Sequence, residues 1–150
     1  MEENVLAKRI QGDIKIAMKA GDRLRLDTLR MLLSELKGAQ IDEGELSVER
    51  EIAILSSSAR RRKESIREYE NAGREDLASK ERAELEIVTA YLPAQMDEAA
   101  IEAAVRSIIV ETGALGPADI GKVMGAIMSR HKGAVDGNLV KNVAMRLLRG

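Results

Sequence analysis

The sequence of 150 residues contains no cysteine, one histidine and two prolines. Without cysteine the chain can form no disulfide, no thiolate metal site and no cysteine nucleophile. The single histidine, His131, excludes a metal site built from several imidazoles, and no clustered Asp/Glu pattern indicates a carboxylate site. We therefore expect neither a metal nor a cofactor.

Aromatic side chains and long apolar runs are also scarce. Tyr69 and Tyr91 are the only aromatic residues, and proteins that read single-stranded RNA stack bases on more rings than two tyrosines supply. No apolar run approaches the roughly 20 residues of a membrane span, and the N-terminus lacks a secretory pattern. We expect a cytoplasmic protein with no membrane or DNA partner.

What the sequence does contain is apolar residues at helical spacing. The pattern predicts helices over 4–20, from a cap at Asp22, over 47–72 and 75–91, and from a cap at Asp97 to Gly113. No segment alternates as a strand would. We predict an all-α fold, with long antiparallel helices in an N-terminal lobe (1–92) and a small C-terminal helical lobe (97–150). The second helix is apolar on most sides, so we expect it to be the most buried.

The third predicted helix carries an apolar stripe from Val48 to Tyr69 that Arg62 interrupts. The Arg62 guanidinium could extend to water or pair with a carboxylate across the stripe. Alternatively, the basic run 60–63 could bind phosphate. Acidic residues follow the run closely, which favours a solvated helix face over a phosphate site.

A helix-turn-helix-like pair is predicted in the stretch from Gly113 to Val140, with the second helix continuing to Leu147. Gly116-Pro117 opens its first helix, Gly133 closes it, and Asp136 caps the second. The apolar face of the first helix consists of Ile120, Val123, Met124, Ile127 and Met128. That of the second consists of Leu139, Val140, Val143, Ala144 and Leu147.

Two glycines, Gly121 and Gly125, lie one turn apart inside the first helix of this pair. Each destabilises a helix interior by about 1 kcal/mol relative to alanine. Together with Met124 and Met128 they form a candidate interaction strip. Spacing alone favours close packing of a neighbouring helix against the strip, and the alternative is an external partner, either protein or RNA backbone.

Charge is unevenly distributed although the net charge is −1. Residues 113–150 hold six Lys and Arg residues against Asp119 and Asp136, a net charge of +4. A basic tail is a weak indication of a polyanionic partner. The candidate nucleic-acid-binding residues are Lys122, Arg130, Lys132, Lys141 and Arg146.

No catalytic residue is predicted. The serines 56–58 lie inside a predicted helix without glycine-rich surroundings, which indicates a structural role. His131 falls at the end of a helix, and no carboxylate at helical spacing orients it as a general base. Phosphate-loop and dinucleotide fingerprints are absent from the sequence.

Four blocks of the sequence resemble the YqeY-like (GatB/YqeY domain) proteins. They are IKIAMKAGDRLRLDTLRMLLSELK at 14–37, RRKESIREYENAGREDLASKE at 61–81, EIVTAYLPAQM at 86–96, and DIGKVMGAIM at 119–128 with a later VDG. The resemblance implies an all-helical protein whose C-terminal lobe is similar to the tail of the B subunit of glutamyl/aspartyl-tRNA amidotransferase. In that enzyme the tail helps to hold tRNA. One position departs from the pattern, because Ala134 follows Gly133 where the family usually carries a basic residue.

The resemblance and the charge together predict a non-catalytic, tRNA-associated accessory module that contacts the tRNA backbone through its C-terminal lobe. One alternative is a protein-interaction module, with a partner in the translation or aminoacylation machinery. A further alternative is carbon–nitrogen ligase activity with glutamine as the amide donor. The family label implies that activity, but its active sites in the amidotransferase lie outside the tail.

Overall fold

A computed structural model describes residues 3–150 as seven α-helices joined by turns, without a strand in that range. This confirms the all-α fold predicted from the apolar periodicity. The helices are α1 (Val5–Ala20), α2 (Arg23–Glu43), α3 (Val48–Asn71), α4 (Glu75–Thr89), α5 (Glu98–Thr112), α6 (Ile120–Arg130) and α7 (Gly137–Leu148). Among the described helices, none is both long and apolar enough to cross a bilayer.

Polar caps set the N-terminal ends of four helices. In each case a side-chain oxygen accepts a hydrogen bond from a backbone N–H of the first turn, which has no partner inside the helix. These capping residues are Asp22, Ser47, Asp97 and Asp136. At the other end of α5, Gly113 adopts φ +68°, a left-handed conformation that favours glycine.

The contacts within the chain divide it into two units, Met1–Pro93 and Ala94–Gly150. In the first unit α2 packs against α1, α3 and α4, and α3 packs along α4. Ion pairs Glu43–Arg50 and Glu35–Arg61 show that α2 and α3 run antiparallel. The core of this unit includes Ile10, Leu29, Leu32, Leu36, Leu46, Leu55 and Val88.

Helix α2 is central to this unit but is not enclosed on most sides. Its buried residues include Leu29, Leu32 and Leu36. Its other side is open, where Met31 is 44% exposed and Ile41 is 85% exposed. The expectation of an enclosed helix was wrong because three neighbouring helices cover only part of its circumference.

Arg62 is buried between α3 and α4, which matches the proposal of a carboxylate partner across the stripe. Its Nε lies 3.6 Å from Glu84 Oε2 on α4. One Nη donates to Ser58, and the other contacts Met31 Sδ at 3.2 Å. With only 6% of its surface exposed, Arg62 is not placed to bind phosphate.

The fourth helix ends two residues before the predicted Tyr91. Tyr91 and Leu92 instead donate their N–H groups to Val88 and Thr89, three residues back, at 3.1 Å and 3.0 Å. Such bonds tighten the last turn of a helix. The turn is therefore completed just before Pro93, which cannot follow helical geometry at the preceding residue.

In the second unit, α5, α6 and α7 pack against one another. Their shared core includes Ile101, Val105, Ile108, Val123, Ile127, Val140, Val143 and Ala144. Two predicted boundaries move: Pro117–Asp119 form a short 3-10 turn before α6, and α6 ends at Arg130. Gly133, at φ +75°, lies in the turn that follows α6 rather than at its end.

Candidate nucleic-acid interface

The five candidate cations are all exposed on the C-terminal unit. Lys122 and Arg130 belong to α6, Lys132 lies in the turn after it, and Lys141 and Arg146 belong to α7. They are exposed because the inward faces of α6 and α7 are occupied by the apolar core. The cations therefore face solvent, as the periodicity predicts.

Three of these cations already have carboxylate partners. Arg130 forms a two-bond pair with Glu111 of α5, at 2.6 Å and 3.2 Å. Arg146 lies 3.2 Å from Glu102, and Lys122 lies 3.8 Å from Asp119. These pairs are solvent-exposed, and such pairs contribute little to stability because water and salt screen them.

The pairs also fix the charge state of their carboxylates. Hydrogen bonding from Arg130 lowers the pKa of Glu111 below its usual range. The pKa of Glu102 is lowered by hydrogen bonds first from Arg106 and then from Arg146. A lowered carboxyl pKa means that both glutamates are ionised at neutral pH, so they offset part of the positive charge of α6 and α7.

Lys132 and Lys141 have no ion-pair partner among residues 3–150, although both are exposed. Both lysines lie within four residues, along the chain, of a close approach between α6 and α7. A Cβ built on Gly137 would lie 3.8 Å from the Met128 methyl carbon, which shows that the start of α7 lies against Met128. Lys132 follows Met128 by four residues, and Lys141 lies one turn after Gly137.

The glycines of the candidate strip face open space. No described atom lies within 4 Å of a Cβ built on Gly121 or Gly125, apart from their own helix and chain neighbours. The packing interpretation that spacing favoured is therefore wrong. Of the two methionines, Met124 is half-buried against the core and Met128 is 39% exposed.

The C-terminal unit as a whole carries less net positive charge than residues 113–150 alone. Residues 94–150 hold seven Lys and Arg residues against six Asp and Glu residues, a net charge of +1. The difference arises because α5 contributes Glu98, Glu102 and Glu111. Sequence windows that begin at position 113 omit these acids, which the fold brings next to the cations.

The turn after α6 is held by backbone hydrogen bonds rather than by side chains that could act chemically. The His131 N–H donates to Ile127 at 3.0 Å, and the carbonyl of Ala134 accepts from Met96 at 2.8 Å. Ala134 is itself buried. Position 134, where the family usually carries a basic residue, is therefore buried in this chain.

The other groups considered for chemistry have structural surroundings. Ser58 is buried and accepts from Arg62, which gives it a partner but no activating base. Within residues 3–150, no group of three or more His, Cys, Asp or Glu side chains could hold a metal ion. The exposed part of the C-terminal unit can therefore offer charge and shape to a ligand.

Comparison with known proteins places the chain among helical proteins of one family. The family described as Yqey-like protein matches residues 7–148. A curated relative in Pyrenophora tritici-repentis, altered inheritance of mitochondria protein 41, is 33% identical over 143 residues, covering 92% of this chain and 78% of the relative. Proteins of the same name in Vanderwaltozyma polyspora and Lachancea thermotolerans are 38% and 37% identical, over 60% and 68% of this chain. The chain spans 51% and 57% of the length of these two.

These relatives are named as mitochondrial proteins, which contradicts the cytoplasmic location predicted from the sequence. That prediction depended on missing features, and the lack of cysteine or of a long apolar run does not distinguish one compartment from another. The family assignment does not depend on location. The match over residues 7–148 and the relative in Pyrenophora tritici-repentis show that the chain belongs to the YqeY-like family.

Proposed function

We propose that this protein is a non-catalytic accessory module that binds the tRNA backbone through its C-terminal unit. The observation that carries the proposal is the pair of exposed lysines, Lys132 and Lys141, each within four residues along the chain of the Met128–Gly137 contact. Neither lysine has an ion-pair partner among the described residues, so phosphate contacts would displace no internal partner. Contacts from Lys and Arg to phosphate supply most of the sequence-independent affinity for nucleic acid.

The paired cations add to this surface in a second way. Arg130, Arg146 and Lys122 are more than half exposed, so a phosphate oxygen can replace the carboxylate partner. The exchange is inexpensive because exposed ion pairs contribute little to stability, and arginine binds phosphate in the same two-bond geometry that Arg130 uses with Glu111. We expect these three residues to contribute less than the two free lysines.

Recognition is by backbone and shape rather than by base. The two tyrosines, Tyr69 and Tyr91, belong to the N-terminal unit, so the C-terminal unit offers a base only the half-buried imidazole ring of His131. The net charge of +1 on residues 94–150 indicates weak, salt-sensitive binding. The resemblance to the amidotransferase tail, noted for the sequence, supports tRNA over other RNAs.

An electrophoretic shift of bulk tRNA by the full chain, at salt concentrations from about 50 to about 200 mM, tests the proposal. We expect binding at low salt that weakens steeply as salt rises. Lys132→Glu with Lys141→Glu should abolish the shift. Lys8→Glu with Lys15→Glu, which makes the same charge change on α1, should preserve it. Absence of binding at low salt, or equal loss in both double variants, would contradict the proposal.

Docking of a protein on α6 is the second candidate function, and the exposed glycine strip favours it. Gly121 and Gly125 leave the α6 backbone uncovered, with Met128 beside them. A Gly121→Leu variant separates the two candidates. A leucine here would hold a phosphate away and weaken the tRNA shift if RNA lies on this face. If a protein docks there instead, the variant will fold and bind tRNA as the parent chain does but will no longer retain that protein in a pull-down.

A further inference from the structure

The open side of α2 in the N-terminal unit carries a groove that none of the functions above uses. The groove has a volume of about 430 Å³. Six residues of α2 line it: Arg30, Leu33, Ser34, Lys37, Gly38 and Ile41. They recur at intervals of three and four, so they share one face of the helix.

The shape of this α2 groove suits a second helix. Ser34 and Gly38 lie one turn apart and have the two smallest side chains of the lining, which leaves a depression along the helix surface. Leu33 packs partly against the core, and Ile41 is 85% exposed beside it. Packed helices place a ridge of side chains from one into a groove of the other.

The charges at the α2 groove indicate that its binding partner is negatively charged. Arg30 and Lys37 are seven residues apart, two helical turns or about 10.5 Å along the axis. Both are exposed, and neither pairs with another residue of the described chain. Three other carboxylates of α2 pair elsewhere: Asp27 with Arg23, Glu35 with Arg61 and Glu43 with Arg50. The two groove cations therefore keep their charge available.

We propose that the α2 groove docks an acidic amphipathic helix of another protein, with carboxylates seven residues apart on either side of an apolar residue. The carboxylates pair with Arg30 and Lys37, and the apolar residue between them covers Leu33. A second apolar residue, beyond the carboxylate at Lys37, covers Ile41 about 12 Å further along α2 than Leu33. A second copy of this chain is disfavoured, because two such faces would bring four cations together. RNA is disfavoured because it would leave Ile41 against a polar backbone.

A synthetic helical peptide tests the proposal directly. The acidic peptide carries Glu at two positions seven apart, with Leu three and four residues after each Glu. Two further peptides serve as controls: one with Lys in place of both Glu, and one with the acidic composition in scrambled order. Fluorescence anisotropy of each labelled peptide is measured against the full chain and its variants. We expect the full chain to bind the acidic peptide at least about tenfold more tightly than either control.

Variants that reverse the charges of the groove test whether the peptide binds there. Arg30→Glu with Lys37→Glu should lose binding of the acidic peptide and gain binding of the lysine peptide. Ile41→Ser should weaken acidic-peptide binding, and Lys8→Glu with Lys15→Glu should leave it unchanged. Equal binding of the scrambled peptide would overturn the proposal. So would a monomer–dimer equilibrium that Arg30→Glu abolishes, or a loss of tRNA binding in the groove double variant without any effect on the peptide.

Discussion

Buried charged side chains connect distant parts of the N-terminal unit, and Glu51 is one of them. Its carboxylate is wholly buried and accepts hydrogen bonds from the N–H groups of Leu6 at 3.0 Å and Ala7 at 2.8 Å. Asn4, which precedes α1, supplies no side-chain cap and instead accepts from Leu46 at 3.0 Å. Glu51 of α3 therefore caps α1, where a negative charge is also favoured by the helix dipole.

Replacing Glu51 should strongly destabilise the N-terminal unit. Glu51→Ala leaves two buried N–H groups without an acceptor, each of which costs about 1–3 kcal/mol, so we expect a loss of about 2–5 kcal/mol. Glu51→Gln keeps one acceptor oxygen and should lose less. Urea denaturation measures both. The control, Glu49→Gln, is exposed in the same turn and should change stability by less than about 0.5 kcal/mol. Equal effects of Glu51→Ala and Glu49→Gln would refute the capping role.

The Arg62–Glu84 pair links α3 to α4 in a similarly buried position, with 6% and 8% of the two residues exposed. Arg62 Nε has no hydrogen-bond partner, and the nearest carboxylate oxygen, on Glu84, is 3.6 Å away. Removing one member of a buried pair leaves an uncompensated charge, whereas replacing both with apolar groups is often neutral. Loss of one member of the pair should therefore destabilise the protein by more than the attraction between the two charges stabilises it.

Substituting one member of this pair should destabilise the protein more than substituting both members. Glu84→Leu removes the carboxylate paired with the buried Arg62 guanidinium and leaves Glu81 as a weaker countercharge, so we expect a loss of up to about 3–5 kcal/mol. Adding Arg62→Met should recover most of that loss, because no charge remains buried. Thermal or urea unfolding of Glu84→Leu, Arg62→Met and the double variant measures the coupling. Additive losses would show that the guanidinium acts through its Ser58 and Met31 contacts instead.

At the scale of the element, two glycines lower the stability of helix α6. Gly121 lies in the first turn of α6 and Gly125 in its interior, both with room for a Cβ, so Gly125→Ala should stabilise the C-terminal unit by about 0.5–1 kcal/mol and Gly121→Ala by less. Gly113→Ala is the opposite case, because φ +68° strains a residue with a Cβ and should destabilise. Unfolding midpoints of the three variants test this. A destabilised Gly125→Ala would mean that the strip is packed after all.

The elements show which parts of the fold follow from sequence. Caps and helix faces are local, so Asp22, Ser47, Asp97 and Asp136 could be assigned from neighbouring residues alone. The role of Glu51 could not, because its hydrogen-bond partners lie 44 and 45 residues away. In sequence Glu51 looks like an ordinary first-turn acid. The open face of α2 was missed for a related reason, since periodicity does not tell how many neighbours a helix has.

At the scale of the whole molecule, charge is balanced within each unit rather than divided between them. Residues 1–93 carry a net charge of −2 and residues 94–150 carry +1. The candidate cations could be found from the sequence, but their partners on α5 could not, because pairing depends on packing. What distinguishes Lys132 and Lys141 is therefore a structural result, and the proposal of tRNA binding depends on those two lysines more than on net charge.

The salt dependence of tRNA affinity tests that proposal most directly. Each phosphate contact contributes a slope of about −0.7 to −0.9 to a plot of log affinity against log salt concentration. We predict that Lys132→Ala and Lys141→Ala each reduce the magnitude of the slope by about that amount. Lys15→Ala should leave the slope unchanged. A slope unaffected by the first two substitutions, or reduced equally by all three, would contradict tRNA binding at this surface.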